Sequence, residues 1–245
     1  IKPLPRDNWV HDTLADWVGW TGRNFDAGRP HHARVVWIVT VIVPALLAWA
    51  VHFVLVHYVS VLLALAFDVA VIYLTLGFRQ FSHHYTEIQL ALRLGDLDRA
   101  RQLLAEWLGR STYGMGSEDI ARLAIEEALA ASHRHVFAVL LWFVILPGPC
   151  GALLYRMAAV MRERWGQVDA AQHNDFSVFS RQVFGIIDWL PSRATASAFA
   201  IVGDFEDAVY CWRTQPTQWP DRDLGIVLAS GAGALGVQLG RPIAD

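Results

Sequence analysis

The chain has 245 residues, of which 54% are hydrophobic and 18% charged, with a mean hydropathy of +0.31. A soluble domain carries roughly a quarter charged residues, so this composition leans toward the bilayer. A net charge of −3 and a pI near 6.4 exclude a global basic footprint, and no nucleic-acid partner is expected. The two cysteines, Cys150 and Cys211, stand in neither CxxC nor zinc-ligand spacing, which leaves a disulfide framework and a structural zinc site unsupported.

In chain order, Val10, Leu14, Trp17 and Val18 recur at helical spacing behind Asp7 or Asn8. Residues 1–34 therefore read as an amphipathic helix lying on a membrane surface, with Trp9 and Trp20 at its ends. From Val35 to Phe78 there are 44 residues with one formal charge, Asp68, twice the roughly 20 needed to cross a bilayer. This stretch, 35–78, is expected to form a transmembrane hairpin, Val35–Val56 and Val59–Phe78, turning at His57-Tyr58, with Pro44 kinking the first span. Arg23, Arg29 and Arg34 precede it and Arg79 follows, so the positive-inside rule puts both ends in the cytoplasm.

Residues 79–135 hold seven arginines against eight acids and read as a solvated, cytoplasmic helical segment. Gly95-Asp96 marks the end of one helix and the cap of the next, which runs to Gly109 with Leu97, Ala100, Leu103, Leu104 and Trp107 on one face. Ser117 is expected to cap the following helix, whose first turn carries Glu118 and Asp119.

Residues 136–245 read as a broken membrane segment followed by membrane-associated helices. Val136–Tyr155 is 20 residues long and uncharged, but Pro147-Gly148-Pro149-Cys150-Gly151 interrupts its centre. It either crosses once with a break or consists of two half-helices that dip in and return. Val183–Gly203 holds Asp188, Pro191 and Arg193, which suits an interfacial or protein-buried helix. Leu224–Gly240 is rich in small residues, suited to close helix packing. Its Gly231, Gly233 and Gly236 spell GxGxxG, yet no strand or βαβ unit accompanies them, so packing accounts for them better than a dinucleotide does. No segment reads as a strand, and the fold class expected is an all-α, polytopic helical membrane protein.

Among polar residues, Asp68 stands out, because an ionisable group inside a span defaults to a functional hypothesis. It can pair with an arginine of another segment or act as a structural acceptor. His83 or His84 can share a helix face with Glu87, but a metal site needs three or four convergent ligands; neither these nor His133 and His135 supply them. No metal site and no nucleophile motif are expected.

Several strings together resemble the cobalamin-biosynthesis CobD/CbiB superfamily. They are Ala91-Leu92-Arg93-Leu94-Gly95-Asp96-Leu97 with Ala100-Arg101 and Gly109-Arg110; Ile120-Ala121-Arg122 with Ala124-Ile125-Glu126; and Pro149, Gly151-Ala152 and Tyr155-Arg156. Trp189-Leu190-Pro191-Ser192-Arg193 and Gly233-Ala234-Leu235-Gly236-Val237-Gln238-Leu239-Gly240 continue the series in order. The resemblance implies a bacterial inner-membrane protein, with a further apolar segment before Ile1 and more chain after Asp245.

The synthases of that superfamily join adenosylcobyric acid to aminopropanol, or its phosphate, as an amide, with ATP and Mg²⁺. Here Glu126 matches, but family acids and amides fall on Ala130, Ala131, Arg134, Ala159, Arg162, Phe184 and Gly185, with Asp188 replacing an Asn. An arginine where a metal-binding carboxylate belongs repels the metal. On these departures the chain resembles the AmpE-like branch, a sensor or modulator in cell-wall and β-lactamase-induction signalling. It is then expected to lack catalytic residues and cofactors, and to bind a ligand or membrane-protein partner, or a second copy, through Glu126, Tyr155, Arg156, Asp188 and Arg193, with Asp68 as an intramembrane polar residue. Two alternatives stand beside it: the synthase itself, with ATP and Mg²⁺, and a structural subunit of a larger membrane complex, held by the small-residue segment 231–240.

Overall fold

A computed structural model describes residues 30–76, 78–166 and 175–241; the surface helix expected within 1–34 lies outside the described residues. Every regular element among them is helical. In order these are α1 (Pro30–Trp37), α2 (Val43–Val54), α3 (Val61–Thr75), α4 (Phe78–Arg93), α5 (Leu97–Leu108), α6 (Ser117–Ser132), α7 (Ala138–Ile145), α8 (Cys150–Gly166), α9 (Asp175–Val202), α10 (Phe205–Thr214) and α11 (Arg222–Leu235). The chain groups into two compact units, Ile1–Leu76 with Phe137–Trp189 and Gly77–Val136 with Leu190–Asp245.

In the first unit, α1 and α2 run on through π-helical turns at Ile38–Ile42 and Leu55–Val59. Pro44 follows the first of these turns, in the first turn of α2 where its missing N–H is tolerated. Arg34–Val59 thus forms 26 continuous helical residues, and Ser117–Ile145 another 29, both long and apolar enough to cross a membrane. The hairpin turns at Ser60, not at His57-Tyr58. Helical winding persists through Val59, supported by His57, whose Nδ1 lies 3.0 Å from the Phe53 carbonyl and whose ring stacks on Phe53 at 4.1 Å. Ser60 then takes an extended backbone and its Oγ accepts from the Leu62 amide at 3.3 Å, capping α3.

The Pro147–Gly151 break separates two helices that turn back on each other. Gly148 takes a left-handed φ of +69°, which favours glycine. A Cβ on Gly151 would lie 2.0 Å from the Trp142 carbonyl oxygen, so α7 and α8 meet backbone to backbone. Within α8, Ala152, Tyr155, Met157, Ala158, Val160 and Met161 are all buried, and they pack with Val36, Trp37, Val41, Ala138, Val139 and Phe184 into one core.

In the second unit α4, α5 and α6 share a core of Ile88, Ala91, Ala100, Leu103, Leu104, Ile120, Leu123 and Ala124, the face that the apolar spacing of α5 marks out. Asp96 caps α5 by accepting from the Arg99 amide at 3.0 Å, and Gly109 ends it at φ +65°. Ser117 does not cap α6: the cap is Gly116, without a side-chain bond, and Ser117 is the first helical residue. The glycines of α11 are packing residues. A Cβ on Gly233 would meet the Asp207 carbonyl oxygen at 2.4 Å, one on Gly231 the Leu129 side chain at 2.9 Å, and Gly236 ends the helix at φ +66°.

Candidate functional site

Asp68 finds a histidine rather than an arginine: His52 Nδ1 stands 2.8 Å from its Oδ1. Both residues lie eight positions from Ser60, so the turn brings them face to face. Sequence reasoning missed His52 because a turn at 57–58 puts a different residue opposite Asp68.

Tyr155 and Asp188 come together. The Tyr155 hydroxyl donates to Asp188 Oδ1 at 2.7 Å, with the two residues 0% and 2% exposed. Pro191 inside α9 explains part of the local geometry. Its missing N–H frees the carbonyl four residues earlier, Ile187, and Trp142 Nε1 donates to that oxygen at 3.2 Å. Arg156 is buried beside Tyr155, and the Arg162 guanidinium lies 4.8 Å above the Phe184 ring, a cation–π contact.

In the second unit Arg193 donates to Asp223 Oδ1 at 3.0 Å, and Arg134 Nη2 lies 4.0 Å from Asp221 Oδ2. Both arginines thus meet acids at the start of α11, where Asp221 also caps the helix. His133 is fully buried, with Nδ1 2.9 Å from Thr195 Oγ1.

Glu126, on α6, accepts at Oε1 from the Gly240 amide at 2.7 Å. Gly240 has φ +74°, and a Cβ there would lie 2.4 Å from Gln218 Oε1, so only glycine brings the chain this close. Glu126 and Gly240 line an open cleft of about 340 Å³ with Arg110, Trp219 and Arg241. Arg110 begins a loop that Arg101 ties down by donating from Nε to the Met115 carbonyl at 2.9 Å, while Thr112 Oγ1 donates to the Arg101 carbonyl at 2.8 Å.

Among the described residues no three histidine, cysteine, aspartate or glutamate side chains converge to hold a metal ion. Burial and the neighbouring His83 hold His84 below the usual imidazole range, against the pull of Glu87 and Glu106. Burial first and Asp207 second push the Cys211 thiol up, away from nucleophile behaviour.

These features define an all-helical protein with two membrane-length apolar helices, a buried Tyr–Asp pair, and a charged cleft. A family model described as CobD/Cbib protein matches residues 8–244, and the chain belongs to that family. It is 33% identical over 221 residues to the cobalamin biosynthesis protein CobD of Stutzerimonas stutzeri, covering 89% of this chain and 70% of that one. It is 36% identical over 179 residues to the protein of the same name from Chromobacterium violaceum, with 73% and 57% covered. The protein of that name from Leptospira interrogans is 24% identical over 214 residues, with 84% and 65% covered. The chain thus spans 57–70% of the length of these relatives. No solved structure matches.

These relatives overturn the AmpE-like sensor reading, which rested on missing carboxylates. The structure gives the physical reason that argument misled. Ala130, Ala131 and Phe184 are buried, Arg162 packs over Phe184, and Arg134 faces Asp221. Those positions serve packing and ion pairing in this chain.

Proposed function

We propose that this chain is the cobinamide synthase of cobalamin biosynthesis, forming an amide between the carboxyl group of adenosylcobyric acid and the amine of aminopropanol or its phosphate. The observation that carries the reading is the collinear family match over residues 8–244, supported by relatives named for cobalamin biosynthesis. Amide formation from a carboxylate is uphill in water, and ATP supplies the activation by making the carboxyl a better acceptor. The amine then displaces the activating group and gives up a proton. Mg²⁺ entering with ATP needs only one or two protein carboxylates besides the phosphates.

The protein works as a multi-pass protein of the bacterial inner membrane. The broad apolar exposure of the hairpin (Leu46 56%, Leu47 61%, Leu62 76%, Leu65 58%) suits lipid contact better than water. Residues 79–135 lie on the cytoplasmic side, where ATP is available.

The test is direct. Purified protein in detergent receives adenosylcobyric acid, aminopropanol or its phosphate, ATP and Mg²⁺, with a relative of known activity as control. Mass spectrometry is expected to detect the amide. No amide above background, with the control active, overturns the reading.

A further inference from the structure

The cleft at Glu126 has a charge pattern that packing does not require. Among the described residues Arg110 makes no hydrogen bond or ion pair, and among them Arg241 donates to Gln238 alone. Two guanidinium groups on one small cleft repel each other unless an anion sits with them. Glu126 is not that anion in full. Its Oε1 is committed to the Gly240 amide, and it makes no further hydrogen bond or ion pair among the described residues, so Oε2 stays available to a cation.

Size selects among ligands. A cleft of about 340 Å³ sits at the low end of the roughly 300–1,000 Å³ typical of small-molecule sites. It accepts a small metabolite or one end of a larger molecule. The walls are also fixed before any ligand arrives: Arg101 and Thr112 pin the loop carrying Arg110, and Gly240 is held against Gln218 and Trp219. Such preorganisation lowers the ordering penalty on binding.

We propose that this cleft is a binding site for a small zwitterion, whose oxyanion lies between Arg110 and Arg241 and whose ammonium faces Glu126. The forked guanidinium suits phosphate or carboxylate oxygens. As the seat of the amine substrate, the assignment rests on the synthase reading; as a binding site, it stands on the cleft alone.

The experiment is calorimetric titration of the purified protein in detergent with phosphoethanolamine, β-alanine, inorganic phosphate and ethanolamine. At least one zwitterion is expected to bind about tenfold or more tighter than phosphate or ethanolamine, and the tighter of the two identifies the oxyanion. Arg110→Gln with Arg241→Gln is expected to lower zwitterion affinity by about tenfold or more. Glu126→Gln keeps an acceptor for the Gly240 amide and so preserves the fold; it is expected to retain phosphate binding while losing the zwitterion's advantage. Equal affinity for zwitterion and phosphate, or unchanged binding in the double-arginine variant, overturns the proposal. In the amide-forming assay, product with an unchanged KM for the amine in the double variant overturns the cleft's part and leaves the synthase reading standing. Zwitterion binding without product does the reverse.

Discussion

Asp188 is buried, and the Tyr155 hydroxyl donates to one of its oxygens. Tyr155→Phe removes that donor without opening a cavity. It is expected to destabilise the protein by about 1–3 kcal/mol, read as a drop in Tm of roughly 2–4 °C per kcal/mol in a detergent melt. His84 makes a second prediction, with its sign fixed by linkage. Its imidazole, stacked on Trp107 at 5.9 Å, is held below the usual range chiefly by burial and then by His83. Below about pH 6.5 a histidine in the unfolded chain takes up a proton that the folded His84 resists. The unfolded state then binds more protons, so stability falls as pH drops through that window, and above it the contribution is fully present. His84→Gln is expected to flatten the pH dependence of Tm between about pH 7 and the folded pKa; an unchanged slope refutes the assignment.

At the scale of elements, the tightest joint is the meeting of α7 with α8. Gly151→Val puts side-chain atoms into the Trp142 carbonyl, and backbone cannot yield as a side chain can. Loss of about 1–3 kcal/mol or failure to fold is expected, against the mild effect of the same change at Gly185, where a Cβ meets nothing within 4 Å. Paired melts of the two variants check it. Helices were legible here because their signals are local: Asp96, Gly95 and Gly109 mark ends by backbone chemistry, and the spacing of Leu103 and Leu104 marks a buried face. Neighbours across the fold were not legible. The pairing of His52 with Asp68 depends on a turn at Ser60, and Arg193 with Asp223 spans 30 residues. Of the six polar residues that sequence reasoning singled out, Tyr155 and Asp188 meet each other, Asp68 and Arg193 each meet a side chain it did not name, and Glu126 meets the backbone of Gly240. Helical periodicity says which face is covered, never by what.

For the whole molecule, the membrane reading makes a topological prediction. Tyr113 is 97% exposed on the loop between α5 and α6, within the segment assigned to the cytoplasm. In a Cys211→Ser background, Tyr113→Cys is expected to react with an impermeant maleimide in inside-out vesicles and to stay unlabelled in intact spheroplasts. The opposite pattern reverses the orientation.

Each unit draws on two separated stretches of chain, and the bond from the Gly240 amide to Glu126 spans 114 residues. A ribosome adds about 5–20 residues per second, so roughly 6–23 seconds pass between the emergence of Glu126 and that of its partner. During that interval the carboxylate and the walls of its cleft stand incomplete beside the translating ribosome. The second unit therefore reaches its finished form only as synthesis nears the end of this sequence, and a chain stalled before Gly240 presents Glu126 without the amide that holds it.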